Sequence, residues 1–275
     1  STSTTAGTSR ADLVPLRLNT AAVSDAGAHR PTNQDAAFAA SWGAAVADGV
    51  GGGPSCDLAS ASLVHRLVAT RGTGLDAEGL LVRIREANWD IRAHVERDPA
   101  LQGMATTFTG VFLGVDSELL LAHTGDSRAY LLRDEEFTRQ TRDDSYVQAL
   151  VDHGIISPEA AASHPRRNII TASLGGSEGD VVSVASHAPR VGDRWMLCSD
   201  GLTDYVPEAD VARLIAAAPD PRSAAASTVA LALEAGTRDN VTVVVCDIVD
   251  DELPPGDPVF FGSAARWFTE DVEIA

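Results

Sequence analysis

Aromatic residues account for only 5% of this 275-residue chain, and cysteine occurs three times, at Cys56, Cys198 and Cys246. The three are scattered and form no Cys-x-x-Cys pair, which excludes a cysteine zinc site or a disulfide framework and suits a reducing, cytoplasmic compartment. Cys198 and Cys246 lie inside apolar runs and read as small core residues. No apolar stretch reaches the roughly 18 residues of a membrane-spanning helix, and no secretory pattern opens the chain. Cations are also scarce: 21 Lys and Arg face 39 Asp and Glu, a formal charge of −18. Such a surface repels nucleic-acid backbones and anionic lipid, so neither is expected as a partner. Nor does any segment repeat at a 20–50-residue period, which excludes solenoids and propellers.

What the chain does have is aspartate beside glycine at the ends of apolar runs: AAVADG (44–49), LLLAHTGD (119–126) and MLCSDG (196–201). A fourth, Asp239 in TRDNVTVVVC, stands just before such a run. Glycine allows a sharp turn and a close backbone approach, so these carboxylates are expected along one rim of a sheet. Two carboxylates about 4 Å apart repel by roughly 4 kcal/mol at an effective dielectric near 20. A rim carrying four or five of them calls for divalent cations.

Along the chain, residues 1–12 are Ser/Thr-rich and read as a flexible leader. Strands are expected at 17–24, 36–40, 44–47, 106–115, 118–122, 129–133, 181–185, 194–199 and 241–249. Helices are expected at 57–70, 76–97, 207–217 and 222–235. In the second of these, Leu80, Ile84, Ala87, Ile91 and Val95 recur at helical spacing. Residues 145–170 change character: SYVQALVDHG and SPEAAASH read as two short helices, the latter with Ser157 as N-cap and Pro158 at its first position. Strand blocks alternating with helix pairs predict two packed sheets with helices outside, an α+β fold. The segment 251–275 is acidic, punctuated by Pro and Gly, and carries Phe260, Phe261, Trp267 and Phe268. It reads as an extension that docks on the domain or on a partner.

Five blocks carry the chemistry. In SDAGAHRPTNQD (24–35), Asp35 enters an apolar run, and Arg30 offers a planar fork suited to two phosphate oxygens. ADGVGGG (47–53) follows a strand but lacks the Gly-Lys-Ser/Thr of a nucleotide loop. Asp48 and the carbonyl of Gly49 suit instead the hard-oxygen needs of Mg²⁺ or Mn²⁺. GDS in HTGDSRAY supplies Asp126. SDGLTDY places Asp200 and Asp204 one helical turn apart, able to share a face. In RDN, Asp239 precedes Asn240, read as bonding the local backbone.

In order and spacing these blocks resemble the metal-dependent type 2C protein phosphatases of the bacterial branch, over about residues 17–250. The resemblance implies a four-layer α/β/β/α sandwich with two central, mainly antiparallel sheets, a catalytic domain at 13–250 and a flap at 145–170. It implies that Asp35, Asp48, the Gly49 carbonyl, Asp200 and Asp239 hold two Mn²⁺ or Mg²⁺ ions, with Asp48 bridging them. Asp126, Asp200 and Asp204 correspond to a weaker third-metal site, and Arg30 to the phosphate-binding arginine. The implied reaction is hydrolysis of phosphoserine and phosphothreonine in proteins by a metal-activated water, in a monomer. The implied partners are phosphoprotein substrates and a Ser/Thr kinase or its targets.

One departure concerns the leaving group. Eukaryotic members have a histidine where this chain has Val50, which cannot donate a proton. His29, His153 and His164 lie nearby in sequence or on the flap and read as surface or packing residues. GGSEG (175–179) fits a nucleophile-elbow pattern, but the strand-like DVVSVAS follows rather than a helix. Asn240-Val241-Thr242 fits a glycosylation acceptor, yet it enters an apolar run. Two rival readings are a catalytically weak phosphoprotein-binding module of the same fold and a two-metal nuclease, the latter disfavoured by charge.

Overall fold

The computed structural model describes residues 15–51, 55–70, 75–250 and 256–268. The leader expected at 1–12 and parts of the extension, 251–255 and 269–275, lie outside the described residues, as do Gly52 and Gly53 of the second block.

The elements follow one another as β1 (Leu16–Asp25), β2 (Asp35–Ala40), β3 (Gly43–Val50), α1 (Cys56–Ala69), α2 (Ala77–Arg97), β4 (Ala105–Thr106) and β5 (Phe108–Leu113). Next come β6 (Leu119–Thr124), β7 (Arg128–Arg133), β8 (Glu136–Arg139), α3 (Tyr146–Asp152), α4 (Pro158–Ala162), β9 (Ser183–His187) and β10 (Arg194–Cys198). The last are α5 (Asp200–Thr203), α6 (Glu208–Ala217), α7 (Pro221–Glu234), β11 (Val241–Asp250) and β12 (Val259–Gly262).

One sheet runs β1-β11-β10-β7-β8 and the other β12-β2-β3-β5-β6-β9, with β4 paired to β3. Every pairing of named strands is antiparallel. Strand β11 shows why the layers stack. Its near-continuous β-branched run is buried on both faces, as a strand covered on both sides requires. Val244, Cys246 and Ile248 join Leu18, Trp195 and Leu197 between the sheets. Val241, Val243 and Val245 face the other way, onto Val211 and Ile215 of α6 and Ala225 and Val229 of α7. A third core lies between the second sheet and α1–α2, where Leu80, Ile84, Ala87 and Ile91 present the expected face to Phe38 and Phe108. The order is thus α/β/β/α, as expected.

Local signals mark several boundaries. Asp76 caps α2 by accepting from Gly79 N–H at 2.7 Å, and Ser157 caps α4 with Pro158 at its first turn. Two strands were not expected. Strand β8 is four residues long with an alternately exposed, polar sequence, and β12 is the docked part of the C-terminal extension. Strand β9 begins two residues later than the apolar run suggested: its pairing with β6 starts at Ser183, and Val181 is exposed. All three cysteines are buried thiols.

The antiparallel pairing brings the start of β2 beside the end of β3, with Asp35 opposite Asp48 in register. In the other sheet, the end of β10 meets the start of β11, Cys198 lying opposite Val243. Both pairs of strand ends open on the same rim.

Candidate metal centre

Asp35 is only 1% exposed. Its Oδ2 accepts hydrogen bonds from the hydroxyls of Ser199 and Thr242, each at 2.7 Å, so the sheet of β10 and β11 orients a carboxylate of the sheet that holds β2. The Asp48 backbone is fixed on both sides: its N–H donates to Thr107 Oγ1 at 3.0 Å, and its carbonyl accepts from Thr107 N–H at 2.8 Å and Thr106 Oγ1 at 3.0 Å. Asp200 opens α5 directly after β10, and Asp204 caps that helix at its C-terminus. Gly49 is in close backbone contact with α1; a methyl group there would meet the Cys56 and Gln34 carbonyl oxygens.

Asn240 corrects an expectation. Its side chain does not bond the local backbone but reaches the loop before β2. Nδ2 donates to the Ala26 and Thr32 carbonyls, and Oδ1 accepts from Gln34 N–H at 2.8 Å. That clamp carries the Arg30 loop onto Asp239. Arg30 donates to Asp239 Oδ2 at 2.7 Å rather than standing on its sequence neighbour Asp35, and its side chain is 45% exposed.

The carboxylates act on one another. Burial, with the Asp239 charge adding to it, pushes Asp35 up to about 6 despite the two hydroxyls. Burial first, then the charges of Asp35, Asp200, Asp126 and Asp239, holds Asp48 well above the usual carboxylate range. Asp200 is raised in the same way by burial and by Asp126, Asp239, Asp204 and Asp35. Asp126 is raised to about 7 by burial and by Asp143 and Asp204, while Asp204 is raised chiefly by burial. All six aspartates expected from sequence therefore converge within electrostatic reach.

Among the described residues, no three Asp, Glu, His or Cys side chains are gathered tightly enough to grip an ion as they stand. The contacts above give the reason: Asp239 is turned onto Arg30, and Asp35 onto two hydroxyls. The donor set nonetheless fits a hard divalent cation. Asp126 Oδ1 and Asp200 Oδ1 are buried without any hydrogen-bond partner, and such oxygens are costly unless a charge satisfies them. Carboxylates and one backbone carbonyl are the ligands Mg²⁺ and Mn²⁺ prefer.

Sequence reasoning missed the polar scaffold behind this rim. Thr107 Oγ1 bonds Ser127 Oγ at 2.8 Å, the Ser127 carbonyl meets Thr109 Oγ1 at 2.9 Å, and Thr109 meets His123 Nδ1 at 2.9 Å. His123 Nε2 then bonds the Arg142 carbonyl at 2.9 Å. The signal lay in Thr106, Thr107, Thr109 and His123 interrupting apolar strands. Asp143, gripped by Arg128 and Arg139, was missed as well. A cleft of about 400 Å³ beside the cluster is lined by Asp126, Arg128, Ser145, Arg167, Asp200 and Asp204. Arg167, from the 145–170 segment, stands 3.4 Å from Asp204.

The remaining expectations resolve simply. Val50 lies at the rim, and His29 is exposed. His153 bonds the Ala149 carbonyl of its own helix end, and His164 accepts from Arg166 N–H. GGSEG is a turn closed by Asp180, which accepts from Gly175 and Ser177 N–H, and no helix follows it. Asn240 is buried, which removes it as a glycosylation acceptor.

No family model matches the chain. It is 42% identical over 256 residues to the serine/threonine protein phosphatase PstP of Mycobacterium tuberculosis, covering 92% of this chain and 49% of that protein. The chain thus spans about half the length of this curated relative. It is 35% identical over 210 residues to the serine/threonine phosphatase stp of Listeria innocua, covering 74% of this chain and 82% of that one. A crystal structure of the catalytic domain of a serine/threonine protein phosphatase PstP, in complex with two manganese ions, superposes with a TM-score of 0.77 at 39% identity. That alignment covers 85% of this chain and 99% of the solved one.

Proposed function

The chain belongs to the bacterial type 2C serine/threonine protein phosphatases, and from that membership we propose that it hydrolyses phosphoserine and phosphothreonine in proteins. The observation that carries the reading is the buried aspartate cluster, with two unpartnered carboxylate oxygens, beside a half-exposed arginine. Asp35, Asp48, the Gly49 carbonyl, Asp200 and Asp239 would hold two Mn²⁺ or Mg²⁺ ions, and Asp126, Asp200 and Asp204 a weaker third. Bound there, the cations supply Lewis acidity toward water and phosphoryl oxygen.

The chain's own groups do the rest. Arg30 captures the phosphate by exchanging Asp239 for two phosphoryl oxygens, and its positive charge offsets the negative charge that grows on those oxygens during in-line displacement. Ser199 and Thr242 hold Asp35 in one orientation, and Thr106 with Thr107 prevents the Asp48 backbone from shifting. Val50 offers no proton to the leaving serine or threonine oxygen, so that proton comes from solvent at the rim. The 145–170 segment, with Arg167 over Asp204, acts as a flap that filters substrates by shape.

Among the described residues, no helix is long and apolar enough to cross a membrane. The domain is proposed to work as a monomer in the cytoplasm, opposing a Ser/Thr kinase on shared targets. Mn²⁺-dependent hydrolysis of p-nitrophenyl phosphate and of a phosphothreonine peptide tests the reading, with Asp200→Asn abolishing both. Mn²⁺ bound without turnover would instead indicate a phosphoprotein-binding module.

A further inference from the structure

The C-terminal extension ends up beside the metal-ligand strand rather than on open surface. Strand β12 pairs with β2, placing Gly262 opposite Ala36. Gly262 adopts φ +63° and packs against the Asp35 carbonyl, where a methyl group would collide. The next residue, Ser263, is fully buried, and its hydroxyl lies 3.0 Å from that of Ser60 on α1. Ser60 directs its single proton at the Gln34 carbonyl, 2.6 Å away, with the Asp57 carbonyl farther off at 3.2 Å, so Ser263 donates to Ser60. The Gln34 carbonyl also accepts from Gly49 N–H at 3.1 Å, and Gln34 N–H donates to Asn240. Three hydrogen bonds therefore lead from the extension to Gly49, whose own carbonyl is a proposed ligand.

A latch holds the segment in place. The His65 ring stacks on Phe260 at 4.1 Å, meets Phe268 edge-on at 5.1 Å, and bonds the Ala264 carbonyl at 2.7 Å. Trp267 Nε1 donates to Asp57 Oδ2 at 3.0 Å, in the first turn of α1. Packing alone would be served by alanine at 263, since burying a hydroxyl gains nothing over a methyl group unless it is hydrogen-bonded. The polar link ends at the ligand strand, which gives it a purpose.

We infer that residues 256–268 are a positioning segment for the metal centre: Gly262 and Ser263 set where Asp35 and the Gly49 carbonyl stand, and the aromatic latch keeps them there. The inference rests on the metal reading above. Groups behind metal ligands typically govern affinity by about 10- to 100-fold.

The test uses the full chain stripped of metal, with Mn²⁺ binding measured by titration calorimetry and the Mn²⁺ requirement of p-nitrophenyl phosphate hydrolysis measured alongside. Ser263→Ala should weaken Mn²⁺ binding several-fold and Gly262→Ala about tenfold or more, while Ser263→Ala keeps its kcat at saturating Mn²⁺. Val229→Ala on α7, chosen for a comparable loss of Tm, should bind Mn²⁺ as the wild type does. Wild-type Mn²⁺ affinity in Ser263→Ala overturns the inference alone, and that variant decides if Gly262→Ala fails to fold. Failure of the wild type to bind Mn²⁺ overturns the metal reading and this inference with it.

Discussion

At the scale of single residues, the site joins one captured cation to a surplus of buried acid. Arg30 is paired with Asp239 and nearly half exposed, so a phosphate can claim it at little cost. Replacing it with alanine should remove charge-assisted bonds worth about 1.5–3 kcal/mol, lowering kcat/KM by about 10- to 100-fold. Steady-state kinetics on p-nitrophenyl phosphate would show this, with Mn²⁺ affinity unchanged or improved. His123 makes a different prediction. Burial holds it below the ordinary histidine range, opposed by the Arg142 carbonyl and by Asp144 and Asp143, and assisted by Arg139. A histidine lowered on folding leaves stability intact above its unfolded value of about 6.5, and stability is lost as pH falls toward the folded value. Urea midpoints should therefore drop more steeply below about pH 6.5 in the wild type than in His123→Gln.

Among the elements, legibility followed the strength of the pattern. Helix α2 and strand β11 were readable because sustained helical spacing and a dense β-branched run each allow one solution. Strand β8 was not, because EFTR is short, largely polar and half-exposed, and its pairing with β7 is invisible in its own sequence. Strand β12 was hidden for another reason: its residues gain meaning only once β2 offers an edge. The turn at 174–180 shows the same limit. Leu174 exchanges backbone hydrogen bonds with Thr106, while Asn88 of α2 donates to the Ser177 carbonyl and to Asp180 and accepts from Gly176 N–H. Asn88→Ala should cost about 1–3 kcal/mol by leaving those groups unpaired. It should also speed tryptic cleavage at Arg166 and Arg167 if that turn anchors the end of the 145–170 segment proposed as a flap. Limited proteolysis read by mass spectrometry would check it, and an unchanged cleavage rate would contradict the anchoring role.

For the molecule as a whole, the site was more legible than its support. Asp48, Asp126 and Asp200 stood out as candidates because each lies beside glycine at the end of an apolar run, Asp35 and Asp239 because each stands at the entry to one, and Asp204 because it follows Asp200 by one helical turn. The hydroxyls of Ser199, Thr242, Thr106 and Thr107 did not, since a Ser or Thr in a strand is ordinary until its partner across the sandwich is known. The whole-chain charge of −18 adds its own effect. Every one of the 21 cations is an arginine, so the positive charge is fixed at any working pH while the acidic excess draws in divalent ions. Raising ionic strength from about 0.05 to 0.5 M should weaken apparent Mn²⁺ affinity several-fold, because the Debye length shortens from about 14 to 4 Å. Calorimetry in sodium chloride would measure it, and a flat response would mean that local contacts alone set affinity.

Strand β12 also changes what the protein shows to its neighbours. Without that short ribbon, β2 would end the larger sheet with a row of open amide and carbonyl groups, flanked by the apolar run Ala36–Ala40. Bare borders of this kind recruit further strands from other molecules. Preparations nicked between Asp250 and Val259 are therefore expected to clump on storage, and intact ones to stay dispersed.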